Sequence, residues 1–291
     1  MTSDLPQSYN KSFKTIDEQI ELLKSRGMLF RDEDQAKHYL LNLNYYRLSG
    51  YWLPFKQPDD SFESNLYFED IINLYLFDSG LKGLLYQALE TIEISAKTKF
   101  AYYLAQAHGP HPLKTENFTN GYYFAQSYAK LQSEIERQKD RNFIKHYREK
   151  YAEELPPLWV CVEVMTFGLL SQLTKNIKNT KVKREIARCY DLDMKIFESV
   201  LYHLSTIRNH IAHHSRLYNH TSEITFGIPK ILENQCNKNL LGSIYNTIVM
   251  CDYILKKIEP NSVLMKDVLE LADKHRINKS MMGFTNYQVK I

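Results

Sequence analysis

The stretch Glu69-Asp-Ile71-Ile-Asn-Leu-Tyr75-Leu-Phe-Asp-Ser-Gly-Leu81-Lys-Gly-Leu-Leu85-Tyr-Gln-Ala-Leu89-Glu90-Thr-Ile92-Glu93 decides the fold. Its apolar positions Ile71, Tyr75, Leu81, Leu85, Leu89 and Ile92 recur at helical spacing and run on towards Phe100 and Tyr103. This pattern predicts one helix of roughly 40 residues, stopped by Gly109-Pro110. Such a length suits the scaffold of a helical bundle. Nothing in the chain alternates with the period of two that a strand requires. The 291 residues include only ten glycines, with no internal repeat and no glycine-rich phosphate loop. The expected fold is all-α.

Upstream of that helix, Thr15-x-x-Glu18 reads as a capping box that opens a helix to about Ser25, closed by Gly27. Asp32-x-x-Gln35 opens a second helix to about Leu43, and residues 1–14 read as a loose arm. A Tyr/Arg-rich block ends at Gly50 and Pro54, before the polar turn Gln57-Pro-Asp-Asp-Ser. Tyr45, Tyr46, Tyr51 and Trp52 read first as packing residues and second as base-stacking groups beside Arg47. The expected division is an N-terminal helical extension over 1–64 and a helical bundle over 65–291.

Downstream, Pro110 and Pro112 mark a loop. A polar helix is expected over Tyr122–Tyr151, and Pro156-Pro157 breaks the chain before an apolar helix over Trp159–Leu173. Glu163 inside that helix needs a partner if it is buried, and an arginine or histidine of the helix near residue 208 is the expected one. Lys175, Lys178, Lys181, Lys183, Arg184 and Arg188 fall within fourteen residues, with Glu185 the only acid. They are candidate contacts to a nucleic-acid backbone, which needs only positive charge at suitable spacing, set against a plain solvated surface. Helices are expected over 238–257 and 262–274, with a peripheral tail from Asn278.

Bulk properties narrow the classes. The chain is 44% hydrophobic and 24% charged, an ordinary globular balance. A net charge of only +3 means that any nucleic-acid surface arises from local clustering. Cys161, Cys189, Cys236 and Cys251 form no Cys-x-x-Cys pair, which argues against a zinc ribbon and suits a reducing cytoplasm. The start Met1-Thr-Ser-Asp-Leu-Pro lacks a signal pattern, and the apolar run Leu158–Leu173 is short for a bilayer. A cytoplasmic protein without membrane contact is expected.

The chemistry concentrates in Leu201-Tyr-His-Leu-Ser-Thr-Ile-Arg208-Asn209-His210-Ile-Ala-His213-His214-Ser-Arg216-Leu-Tyr-Asn219, which holds four of the ten histidines. Phe197, Leu201, Leu204, Ile211 and Ala212 recur at helical spacing and are expected to give this segment an apolar face. Asn209 stacks with His213 and His210 with His214, one turn apart. Arg208 lies roughly 140° from His213, so the two meet only if the arginine bends or the helix loosens at its end. Histidine takes and gives protons near neutral pH, and arginine offers a planar fork to phosphate oxygens. With the 2′-hydroxyl of RNA as nucleophile, this kit suffices for strand cleavage, and no cofactor or metal is expected. His210, His213, His214 and His220 lack the neighbouring carboxylate of a good metal site. A purely structural, histidine-rich helix end is the alternative. Glu90 and Glu93, one turn apart and followed by Lys97, read as solvated or ion-paired helix charges.

Arg208-Asn-His-Ile-Ala-His213 resembles the Arg-x(4–6)-His signature of HEPN ribonucleases. The longer Arg208-Asn-x-x-Ala-His-His-x-Arg216-x-x-Asn219 is similar to the Abi-like (AbiD/AbiF) abortive-infection family of bacteria. Three further blocks carry the same resemblance in order: Asn44-Tyr-Tyr-Arg47-Leu-Ser-Gly50, then Phe68-Glu-Asp with Ala88-Leu-Glu-x-Ile-Glu93, then Pro157-x-Trp159-x-x-x-Glu163-x-x-Thr166-Phe-Gly168. The resemblance implies a HEPN-like bundle and a metal-independent endoribonuclease that leaves 2′,3′-cyclic phosphate ends. It would serve as a toxin-like effector in anti-phage defence. His213 would be the catalytic histidine and Arg208 its phosphate-binding partner. Asn209 would position substrate, and His214 is the fallback for His213. His210, Arg216 and Asn219 stand behind these. A single motif per chain implies a homodimer with a composite cleft. The alternative it leaves is a non-cleaving RNA-binding module that holds a small non-coding RNA, an antitoxin or another protein.

Overall fold

The computed structural model describes residues 12–285; most of the arm read over 1–14 lies outside them. Among the described residues there are twelve α-helices and no β-strand, so the fold is all-α. The chain divides into two compact units, one up to Ser79 and one from Gly80.

The first unit opens with α1 (Ile16–Ser25). Its capping box closes in both directions: Thr15 Oγ1 accepts from Glu18 N and the Glu18 carboxylate accepts from Thr15 N. Asp32 caps α2 (Glu33–Leu43) by accepting from Gln35 N. The Tyr/Arg-rich block forms α3 (Tyr45–Trp52) and a single 3-10 turn, Leu53–Phe55. Its aromatic residues split. Tyr51 and Trp52 are buried, with Tyr51 donating to the buried Asp78 carboxylate at 2.8 Å, whereas Tyr46 is exposed. α4 (Phe68–His108) follows, 41 residues ended at Gly109 with φ +79°. At 1.5 Å per residue it is about 60 Å long.

In the second unit, the expected polar helix is two: α5 (Gly121–Arg137) and α6 (Asn142–Lys150). The cause lies in the apolar phase. Ile135 and Ile144 are both buried, yet an unbroken helix would turn residues nine apart roughly 180° from each other. The turn at 138–141 resets the phase. The expected apolar helix is also two, α7 (Leu158–Val164) and α8 (Phe167–Asn176). Met165 is extended (φ −71°, ψ 134°), and Thr166 caps α8 by accepting from Leu169 N at 3.2 Å. The cap satisfies an amide that would otherwise be orphaned at the new helix start.

α9 (Thr180–Arg188) and α10 (Met194–Ala212) follow, then α11 (Ile244–Ile258) and α12 (Leu264–Lys274). α10 packs on α8 and α9 and buries Phe197, Val200, Leu201, Leu204, Ile207 and Ile211, a single apolar face. Each such side chain contributes about 1.5–3 kcal/mol of gross burial free energy. In the tail expected to be peripheral, the described part up to residue 285 packs on the fold: Met282 and Phe284 are buried, and the Phe284 ring lies 4.2 Å from that of Tyr245, while residues 286–291 lie outside the described residues. Among the described residues no helix is long and apolar enough to cross a membrane. The four cysteines are free thiols.

Candidate functional site

The candidate site is the C-terminal end of α10. Asp193 caps the start of this helix by accepting from Lys195 N, and the apolar face holds it against α8 and α9. The end is a Schellman turn. Ser215 N donates to His210 O at 2.8 Å and His214 N donates to Ile211 O at 2.9 Å, with His214 at φ +56°. Glycine or asparagine normally holds this left-handed position, and a histidine there costs about 1–2 kcal/mol. Asn219, five residues on, is also left-handed at φ +53°. The helix therefore stops within the polar cluster: Arg208, Asn209 and His210 ride on its last turns, and His213 and His214 stand exposed beyond them.

The four histidines of this segment have different fates. His203 is completely buried. Its Nδ1 lies 2.5 Å from the carbonyl oxygen of Ile224, which can only accept, so Nδ1 carries the proton. Nε2 then accepts from the Thr247 hydroxyl at 2.8 Å, tying α10 to α11. Burial lowers the His203 pKa below its ordinary value, against the opposing pull of the Ile224 bond. His203 is a neutral core strut. His210 is half-buried, its ring 5.0 Å from that of His220. His213 and His214 are at the surface.

Arg208 meets a carboxylate that the sequence had assigned to ordinary helix charges. Its Nε lies 3.8 Å from Glu93 Oε2 on α4. The Glu93 side chain is only 12% exposed, and its other oxygen lies 2.8 Å from Lys97 Nζ one turn along. At that distance the Arg208 contact is an ion pair on the Nε side of the guanidinium, beyond hydrogen-bond reach. Glu163, expected in this role, is exposed on α7, and among the described residues no bond joins it to α10. The alternation in its helix explains the difference: Cys161, Val162 and Val164 take the buried face. Among the described residues no hydrogen bond or ion pair joins Arg208 to His213 within the chain.

The expected backbone-binding cations also divide. Lys175 ends α8, Lys178 follows it, and Lys181, Arg184 and Arg188 ride on α9, all exposed. Arg188 is paired to Glu185 at 3.0 Å. Lys183 is not available: its Nζ lies 2.6 Å from Glu198 on α10 and 2.9 Å from the Lys175 carbonyl, at the negative end of α8. Arg216 is half-buried beside Tyr218, whose hydroxyl pKa is raised by burial. From Glu198, where Lys183 meets α10, to Arg208 the helix rise is about 15 Å, so the α9 contact and the Arg208 cluster fall at different points along α10. Among the described residues no group of three or more His, Cys, Asp or Glu side chains is placed to hold a metal ion.

An α-helical bundle with an arginine and exposed histidines at the open end of α10 is the class that the geometry defines. The family model for Abi-like protein matches residues 38–219, so the chain belongs to the Abi-like family, and that membership points to abortive-infection defence. The matched segment contains Glu93 and ends on Asn219, spanning the whole cluster. Comparison with curated proteins and with solved structures finds no match.

Proposed function

We propose that this protein is a metal-independent endoribonuclease of the HEPN type, acting as a toxin-like effector of abortive infection. The observation that carries the reading is the end of α10, where Arg208 pairs with Glu93 on its Nε side while His213 and His214 stand at the surface. An imidazole takes the proton of the 2′-hydroxyl, and that oxygen attacks phosphorus. The bond to the 5′-oxygen breaks, and an imidazolium returns a proton to the leaving group. Arg208 offers its terminal nitrogens to the phosphorane-like transition state. The products are a 2′,3′-cyclic phosphate and a 5′-hydroxyl.

The composite cleft of a homodimer belongs to this reading. Tyr202, Thr206, Asn209 and His213 recur at intervals of four, three and four residues, forming one solvent-facing stripe of α10 that a second copy can cover. Arg208 of one subunit would then act with His213 of the other. The test is incubation of the purified protein with mixed RNA in chelator, followed by end-group analysis. Cyclic phosphate ends made by the wild type and not by His213→Ala are expected; 3′-hydroxyl ends would refute the mechanism. Mixing Arg208→Ala and His213→Ala subunits should restore cleavage, because one of the two shared clefts is then intact.

A second reading, a module that holds a regulatory RNA or antitoxin without cutting RNA, draws on the separation of the α9 cations from the Arg208 cluster. It requires RNA affinity that survives His213→Ala.

A further inference from the structure

Two segments of this chain contain no carboxylate: Asn117–Ser133 and Val164–Arg184. In a protein that is 24% charged and nearly balanced in sign, that is a local bias. The fold brings the two together. α5 packs on α8, and their ends are laced: Asn120 N donates to Asn176 Oδ1 and Asn176 Nδ2 donates to Asn120 O, both at 2.9 Å. Thr119 N donates to Asn176 O at 2.8 Å, and Lys178 N donates to Asn117 O at 2.9 Å. The exposed Lys175, Lys178 and Lys181 therefore lie next to the start of α5. There Tyr122 and Tyr123 are 69% and 60% exposed, and their ring centroids are 5.7 Å apart at 61°.

Large rings so exposed stabilise nothing in the chain itself. Beside lysines and away from acids, they match what an unpaired strand presents: phosphates for the cations and base faces for the rings. A duplex hides its base faces within the stack, so it offers these rings nothing. Rings inclined at 61° cannot enter one column of parallel bases; each takes a base from a strand that bends between them. Of the carboxylates around these segments, Glu116 sits in the 3-10 turn Thr115–Asn117, Glu154 accepts from Tyr128 and Gln132, Glu185 pairs with Arg188, and Lys183 neutralises Glu198.

We propose that Tyr122 and Tyr123, with Lys175, Lys178 and Lys181, form a stacking platform for single-stranded RNA, separate from the Arg208 cluster. This rests on the RNA reading above and adds the strandedness of the substrate and the residues that read it. The test is binding of a short fluorescent oligouridylate, and of an RNA duplex of equal length, to the full chain carrying His213→Ala. Tyr122→Ala with Tyr123→Ala should weaken single-strand binding at least about five-fold per ring and leave duplex binding unchanged. Phenylalanine at both positions should restore it, since stacking needs no hydroxyl. Lys178→Ala with Lys181→Ala should reduce the salt dependence by about two phosphate contacts. Single-strand affinity unchanged by the alanine pair would overturn the platform and leave the RNA reading standing. Absence of RNA binding by the parent would overturn both.

Discussion

The two halves of α10 use the same residue types for opposite ends. In the first half, Glu198 pairs with Lys183 at 2.6 Å and both side chains are nearly buried, while His203 is fully enclosed between Ile224 and Thr247. In the last turns, Arg208 meets Glu93 at 3.8 Å with its side chain 38% exposed, and His213 stands in solvent. A closed ion pair and a neutral, doubly bonded histidine fasten helices together. An ion pair held on one side, and an imidazole at the surface, can meet a substrate. Residue type alone does not separate structure from chemistry; surroundings do.

The sharpest way to break this contrast is at the open end. Arg208→Ala or His213→Ala should each lower RNA cleavage by at least about a hundred-fold while the melting temperature stays within a degree or two. Arg208→Lys should not rescue, because the ammonium lacks the planar fork. At the closed end the effect should appear in stability instead. His203→Ala opens a cavity in the core and takes one partner each from the Ile224 carbonyl, which keeps Ser222, and the Thr247 hydroxyl, which keeps the Ser243 carbonyl, at a cost of about 2–4 kcal/mol. Chemical denaturation would read it as a lowered midpoint.

pH sharpens the same point. The folded-state pKa of His203 lies below the value of 6.5 for an unburied histidine. Its neutral form is therefore favoured by folding, and below pH 6.5 the unfolded chain binds the proton more readily. Its contribution is complete above that pH and declines as the pH falls towards the folded pKa. The stability gap between wild type and His203→Gln should narrow from pH 7.5 to pH 5.5, and a widening gap would contradict the neutral-strut assignment.

Glu93→Gln should have a smaller effect, about ten-fold on cleavage, by releasing Arg208 from its attachment and exposing it to Lys97. Loss of kcat with little change in KM is the expected signature. The smallest change is at the turn. His214→Gly relieves a left-handed histidine and should leave stability within about 1 kcal/mol of wild type, the lost strain being offset by chain entropy. Its cleavage rate then reports whether His214 shares the task of His213.

The sequence made the frame legible where local rules dominate. The capping box at Thr15, the stop at Gly109 and the single apolar face of α10 stand where spacing and turn chemistry place them. Two long patterns were not single helices, because the phase slip between Ile135 and Ile144 and the cap at Thr166 are weak local signals inside strongly helical composition. The polar cluster of α10 was visible as a cluster. That His203 belongs to the core was not read from the sequence, although its spacing from the buried Val200 and Ile207 carries that signal. The identity of the carboxylate behind Arg208 was not. Glu93 and Arg208 lie 115 residues apart, and only packing decides between Glu93 and Glu163.

The most direct measurement sets His213→Ala beside His203→Ala, with cleavage of single-stranded RNA in chelator and thermal unfolding recorded on the same samples. The expected result is no cleavage with unchanged unfolding for His213→Ala, and lowered unfolding with near-normal cleavage per folded molecule for His203→Ala. Full cleavage by a well-folded His213→Ala would contradict the assignment of chemistry to the open end of α10.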